Sequence, residues 1–126
     1  MPIFYKIDKE RRLVMSSATG VLNKEDALAH QNRLRADPDF DPAYSQLLDF
    51  RHVTQIELTA ADIQQLAVSN IFSSESRRAF LVPNDLAFGL ARMYEMLRES
   101  AGERGIRIFR DLDEALGWVL SNQESS

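Results

Sequence analysis

The chain has 126 residues, no cysteine, 44% hydrophobic and 27% charged residues, and a formal net charge of −4. That length fits one domain, which buries about two-thirds of its unfolded surface without covalent staples. The missing cysteines exclude disulfides, thiolate zinc sites and cysteine nucleophiles. The acid excess argues against a general nucleic-acid or acidic-membrane binder, which would need clustered positive charge.

The N-terminus, MPIFYKIDKERR, has neither the basic start nor the long apolar centre of a signal peptide. No apolar run approaches the ~20 residues that span a bilayer. The absence of cysteine also fits a reducing compartment, so the expected location is the cytoplasm. Two strand-like runs come first, residues 3–8 (IFYKID) and 12–19 (RLVMSSAT), joined by the charged segment 9–11. Each alternates apolar and polar residues as a half-buried strand does, and the short connection predicts a hairpin. Gly20 is expected to end the second strand.

Asn23 is a good N-cap, and Glu25 and Asp26 follow in the first turn, where the helix dipole favours them. Only Ala27, Leu28 and Leu34 are apolar on one side of this helix, and His30 is expected on its solvated face. The helix must stop near Ala36, because Asp37 precedes Pro38. Residues 37–45, DPDFDPAYS, then make a loop pinned by Phe40 and Tyr44.

The organising stretch is QLLDFRHVTQIELTAADIQQLAV, residues 46–68. An apolar run at Leu47, Leu48 and Phe50 leads into a polar knuckle at 51–55, and a helix starts at Thr59, with Asp62 placed as in a capping box. Ile63, Leu66 and Ala67 form the buried stripe of that helix. A serine-rich loop over 69–76 is anchored by Ile71 and Phe72, and AFLVP, residues 79–83, is a buried strand. Asn84 or Asp85 caps the longest helix, about 86–100, which presents Leu86, Leu90, Met93, Tyr94 and Leu97 to the core, with Gly102 as its C′ residue. Phe88 falls about opposite that stripe, which makes it a candidate for self-association in a homodimer. Ile106 to Phe109 is the last strand, Asp111 caps a final helix through about residue 120, and SNQESS, from Ser121 to Ser126, is expected to be a disordered tail.

The order β-β-α-β-α-β-α-β-α predicts a single α/β domain over residues 1–120. Its mixed five-stranded sheet begins with a hairpin and continues with parallel strands joined by crossover helices. Nucleotide-binding glycine patterns are missing, since no G-x-G-x-x-G or G-x-x-x-x-G-K occurs. Two histidines cannot build a histidine-rich metal site, and no G-x-S-x-G elbow accompanies the many serines. No cofactor, metal or catalytic residue is therefore assigned. In open α/β sheets, ligands and partners meet the carboxyl ends of the parallel strands. The residues expected at that edge are Arg51, His52, Thr54, Thr59, Asn84, Asp85 and Arg110, beside helix N-termini at Thr59, Asp85 and Asp111. Caps account for Thr59, Asp85 and Asp111 without further roles.

QLLDFRHV, followed by TQIELTAADIQQL, resembles the SpoIIAA-like branch of STAS domains, bacterial anti-sigma factor antagonists. In those domains a strand reading roughly "vvlDlsgV" precedes "t-x-i-D-S-S-G" and a helix. The opening hairpin, RRAFLVP with its helix, and IRIFRDLDEALGWVL extend the likeness across nearly the whole chain. Overlaying the patterns puts Glu57 at the acid, Leu58 at the phosphorylated serine, Thr59 at the next serine and Ala60 at the glycine. Leu58 cannot accept phosphate, whereas Thr59 can. The resemblance implies a non-catalytic regulatory or protein-interaction module with a protein partner. The second reading from the sequence is a binder of a small anionic or acyl-type ligand at the same edge, with Arg51 and Arg110 supplying positive potential. A catalytic centre around His52 ranks third.

Overall fold

The structure, a computed structural model, describes residues 3–121. Its elements in chain order are β1 (Ile3–Asp8), β2 (Leu13–Asn23), α1 (Lys24–Ala36), β3 (Ser45–Glu57), α2 (Ala60–Val68), β4 (Arg78–Leu81), α3 (Asp85–Ser100), β5 (Ile106–Phe109) and α4 (Leu112–Ser121). The five strands lie side by side in the order β1-β2-β3-β4-β5, with β1 antiparallel to β2 and the other neighbours parallel. The α/β class, the opening hairpin and the element order are those expected from the sequence. Residues 122–126, which hold most of the expected tail, lie outside the described residues, and Ser121 belongs to α4 rather than to that tail.

Successive side chains of β4 enter different layers. Ala79 joins Leu13, Leu47, Ala115 and Val119 under α4, while Phe80 joins Ile63, Leu66, Ala91 and Tyr94 under α2 and α3. This is the two-faced alternation of a sheet covered on both sides. Leu34 of α1 packs with Val14 and Phe72 on the α2–α3 side.

Two strands run further than the sequence implied. β2 passes through Gly20, whose φ of 67° suits an irregularity that a side chain would resist, and continues to Asn23. The polar knuckle 51–55 is not a turn but part of the second half of β3, in which residues 52–57 pair in parallel with residues 19–23. At two points, between Ser17 and Thr19 and between Gly20 and Val21, β3 advances one residue more than β2. Each extra residue breaks the two-residue alternation, so the inward side chains become Phe50, Val53 and Ile56 at intervals of three. A search for strict alternation reads such a strand as a loop.

The helix caps follow the sequence closely. Asn23, Thr59 and Asn84 accept hydrogen bonds from the backbone N–H groups of Asp26, Asp62 and Ala87, and the Asp62 carboxylate accepts the Thr59 N–H in return. At the far end of α3, Gly102 at φ 99° lets its own N–H reach the Glu99 carbonyl and the Glu103 N–H reach the Arg98 carbonyl. That is the Schellman arrangement. Of the expected core stripe of α3, Tyr94 is buried and Leu90, Met93 and Leu97 pack partly buried against the core, joined by Ala87 and Ala91, whereas Leu86 is 63% exposed. Leu86 sits in the first turn of α3, after β4 has ended at Leu81, and joins none of the core clusters.

Candidate functional site

The rim at the carboxyl ends of the strands is fixed by register, because Asp49 aligns with Leu81 and Leu81 with Phe109. The residues just beyond those positions therefore come to one end of the sheet. There Arg110 donates to the Asp85 carboxylate at 2.6 Å, and its guanidinium lies 5.3 Å from the Phe88 ring centroid. Arg51 donates to both oxygens of Asp49, at 3.1 and 2.9 Å. Burial works against ionisation of Asp49, but the Arg51 side-chain and backbone hydrogen bonds hold its carboxyl below the usual range. Asp111 also acts on the Arg51 charge, which ties the two strand ends together electrostatically.

The other expected edge residues are more dispersed. His52 and Thr54 sit within the long β3 strand, exposed and past the point where β4 stops. They are not strand tips, because the knuckle that should have ended β3 is itself strand. Thr59 is occupied as the α2 cap and Asn84 as the α3 cap. Phe88, 38% exposed, lies against Arg110, and Leu86, 63% exposed, adds apolar surface in the first turn of the same helix. Phe88 thus lies off the core stripe, as its position in the sequence implied.

A second constellation lies inside the molecule, and sequence reasoning missed it. Arg78 opens β4 with a side chain only 5% exposed, stacked near Phe72, Phe80 and Tyr94 at 4.6 to 5.5 Å from their centroids. Its Nε donates to Gln46 Oε1 at 3.2 Å, and its Nη1 donates to Asn70 Oδ1 at 2.8 Å and to the Tyr94 hydroxyl at 3.2 Å. Glu103, fully buried, stands 3.5 Å from the same Nη1 and accepts from Arg98 Nε at 2.8 Å. The signals were an arginine starting an otherwise apolar strand, RAFLV, and an acid just after Gly102, where a hydrophobic residue usually completes the helix stop.

His30 belongs to this interior and not to a solvated face. It is 5% exposed, its Nε2 lies 2.9 Å from Ser16 Oγ, and the Tyr5 ring meets it edge-on at 5.9 Å. Burial, then the nearby charges of Arg33 and Arg78, push its pKa down to about 4. An imidazole that releases its proton so readily is a poor base for the Ser16 hydroxyl. The pair satisfies two buried polar groups instead.

Between the sheet and α1, α2 and α3 lies a cavity of about 120 Å³. Its wall is mainly apolar, with Leu48, Phe50, Ile63, Leu66 and Leu90 among its residues, and His30, Gln46, Asn70 and Arg78 bring polar groups to it. Among the described residues, no cluster of three or more His, Asp or Glu is arranged to hold a metal ion, and no helix is long and apolar enough to cross a membrane.

No model of a known protein family matches the chain, and no curated protein matches it. A solved structure does: an uncharacterised protein of the DUF3478 family with a SpoIIAA-like fold, from Shewanella loihica PV-4. The likeness covers 93% of each chain at a TM-score of 0.61 and 20% sequence identity. The fold is therefore SpoIIAA-like, as the resemblance in the sequence implied, and identity at this level carries the fold alone.

Proposed function

We propose that this chain is a non-catalytic binding module that recognises a protein partner at the carboxyl rim of its sheet. The observation that supports this reading is the exposed Phe88 with Arg110 stacked on it and held by Asp85, at the start of a helix whose first turn also exposes Leu86. Apolar and aromatic side chains next to an arginine are the composition of interface cores and of their energetic centres. Nothing at this rim combines a nucleophile, a base and a place for a reacting atom. Affinity capture from the native cell with wild-type protein and with Phe88→Asp tests it. A specific partner retained by the first and lost by the second is expected; capture unaffected by the substitution contradicts it.

The cavity favours a second reading, the binding of a small ligand. The rim is poorly suited to an anion, because Arg51 and Arg110 are already held by Asp49 and Asp85 and the nearby helix N-termini are capped. The cavity offers what the rim lacks: a mainly apolar wall beside a cation buried in the protein.

A further inference from the structure

We propose that the cavity under α1, α2 and α3 takes a small carboxylate, its charged end on Arg78 and its apolar body against Leu48, Phe50, Ile63 and Leu66. This deepens the ligand-binding reading and rests on it. Three observations carry it.

The first is a hydrogen-bonding account of the guanidinium. Nε is taken by Gln46 and Nη1 by Asn70, Tyr94 and Glu103. Nη2 has no hydrogen-bond acceptor among the described residues; it is not a sealed-off donor, and it belongs to a side chain that is 95% buried and lines the cavity. A guanidinium edge that faces a cavity matches a carboxylate better than any neutral group.

The second is charge. Arg78 and Arg98 share the single carboxylate of Glu103, so the cluster holds one positive charge in excess. His30, neutral near pH 7, adds no further charge, and among the described residues no other carboxylate contacts Arg78. The rings of Phe72, Phe80 and Tyr94 stabilise the cation. An anion would complete the pairing that buried charges usually have.

The third is size and lining. About 120 Å³ is slightly smaller than the roughly 150 Å³ cavity that accommodates benzene in an engineered protein. A body of about one six-membered ring, or a short branched acyl chain, matches it.

The test uses three probes on the intact chain at pH 7: benzoate, toluene as the same ring without charge, and acetate as the charge without the ring. Thermal shift reports binding by mass action, and backbone amide chemical shifts in 15N-labelled protein locate it. The expected result is a benzoate dissociation constant at least tenfold lower than that of toluene or acetate. Shifts should concentrate at Leu48, Ile63, Asn70 and Arg78, and Arg78→Met should abolish the preference. Ala91→Leu, which narrows the cavity from α3 while leaving Arg78 intact, should weaken benzoate as well, and it serves if the Arg78 variant does not fold. Benzoate and toluene binding equally would overturn the role of Arg78 and leave the ligand-binding reading standing. Acetate matching benzoate would overturn the role of the apolar wall. No binding of any probe at millimolar concentration would overturn both the proposal and the reading beneath it.

Discussion

His30 enters the interior with no carboxylate beside it. The groups that face it are Tyr5 from β1, Ser16 from β2, Arg33 on its own helix and Arg78 from β4. Its pKa falls from 6.5 to about 4 on folding, so the unfolded chain takes up the proton first as the solution is acidified. The stability this group contributes is complete above about pH 6.5 and is lost as pH falls toward 4. At about 1.4 kcal/mol per pH unit of depression, the loss across that window is on the order of 3 kcal/mol. Urea unfolding should show this decline in the wild type and a much flatter profile in His30→Gln, whose amide can still pair with Ser16. Equal slopes in the two proteins would contradict the assignment.

Arg78 and Glu103 make a sharper prediction at the same scale. Removing the acid alone leaves two arginines without their shared partner in the interior. Glu103→Ala should therefore cost about 3–5 kcal/mol, and the double variant Arg78→Met with Glu103→Leu should recover much of that. A double variant as unstable as the single one would mean that the aromatic cage, and not charge pairing, sets the energetics. Neither residue is visible as buried from composition or periodicity, because both are usually surface residues. Only the position of Arg78 at the head of RAFLV and of Glu103 after Gly102 marks them.

At the scale of elements, caps and stops were legible because they depend on a few neighbouring residues. Asn23, Thr59 with Asp62, Asn84 and Gly102 all do what their types at those spacings require. The extent of β2 and β3 was not legible. Their outer halves form a polar two-stranded ribbon whose irregular register spreads the inward residues Phe50, Val53 and Ile56 three apart. The glycines separate into two kinds on contact grounds. A Cβ on Gly105 would collide with the Ser76 carbonyl oxygen, where the loop before β4 approaches β5, whereas one on Gly117 in α4 meets nothing. Gly105→Ala should lower stability by about 3 kcal/mol, the upper end of ordinary substitutions. Gly117→Ala should raise it by about 0.5–1 kcal/mol through the lower conformational freedom of the unfolded chain. Thermal unfolding of the two variants, made side by side, checks both signs.

For the whole molecule, element order was enough to foresee a SpoIIAA-like arrangement, since sequential parallel strands with crossover helices permit few alternatives. The rim was half foreseen. Asp85, Phe88, Arg110 and Arg51 come to the same end of the sheet because Asp49, Leu81 and Phe109 share a register, while His52 and Thr54 continue up a strand. The cavity was not foreseen at all, because it is a property of how three helices stand off the sheet. Light scattering separates two occupants of the rim patch. A doubled mass that falls to a monomer in Phe88→Asp assigns the patch to a second copy, and a monomer in both assigns it to a different protein.

The most direct measurement is site-specific photocrosslinking in the native cell from a photoreactive residue at position 86, where Leu86 stands exposed at the rim. The account predicts one discrete crosslinked species that disappears when Phe88→Asp is added. Absence of any discrete species, or one indifferent to Phe88, would contradict it.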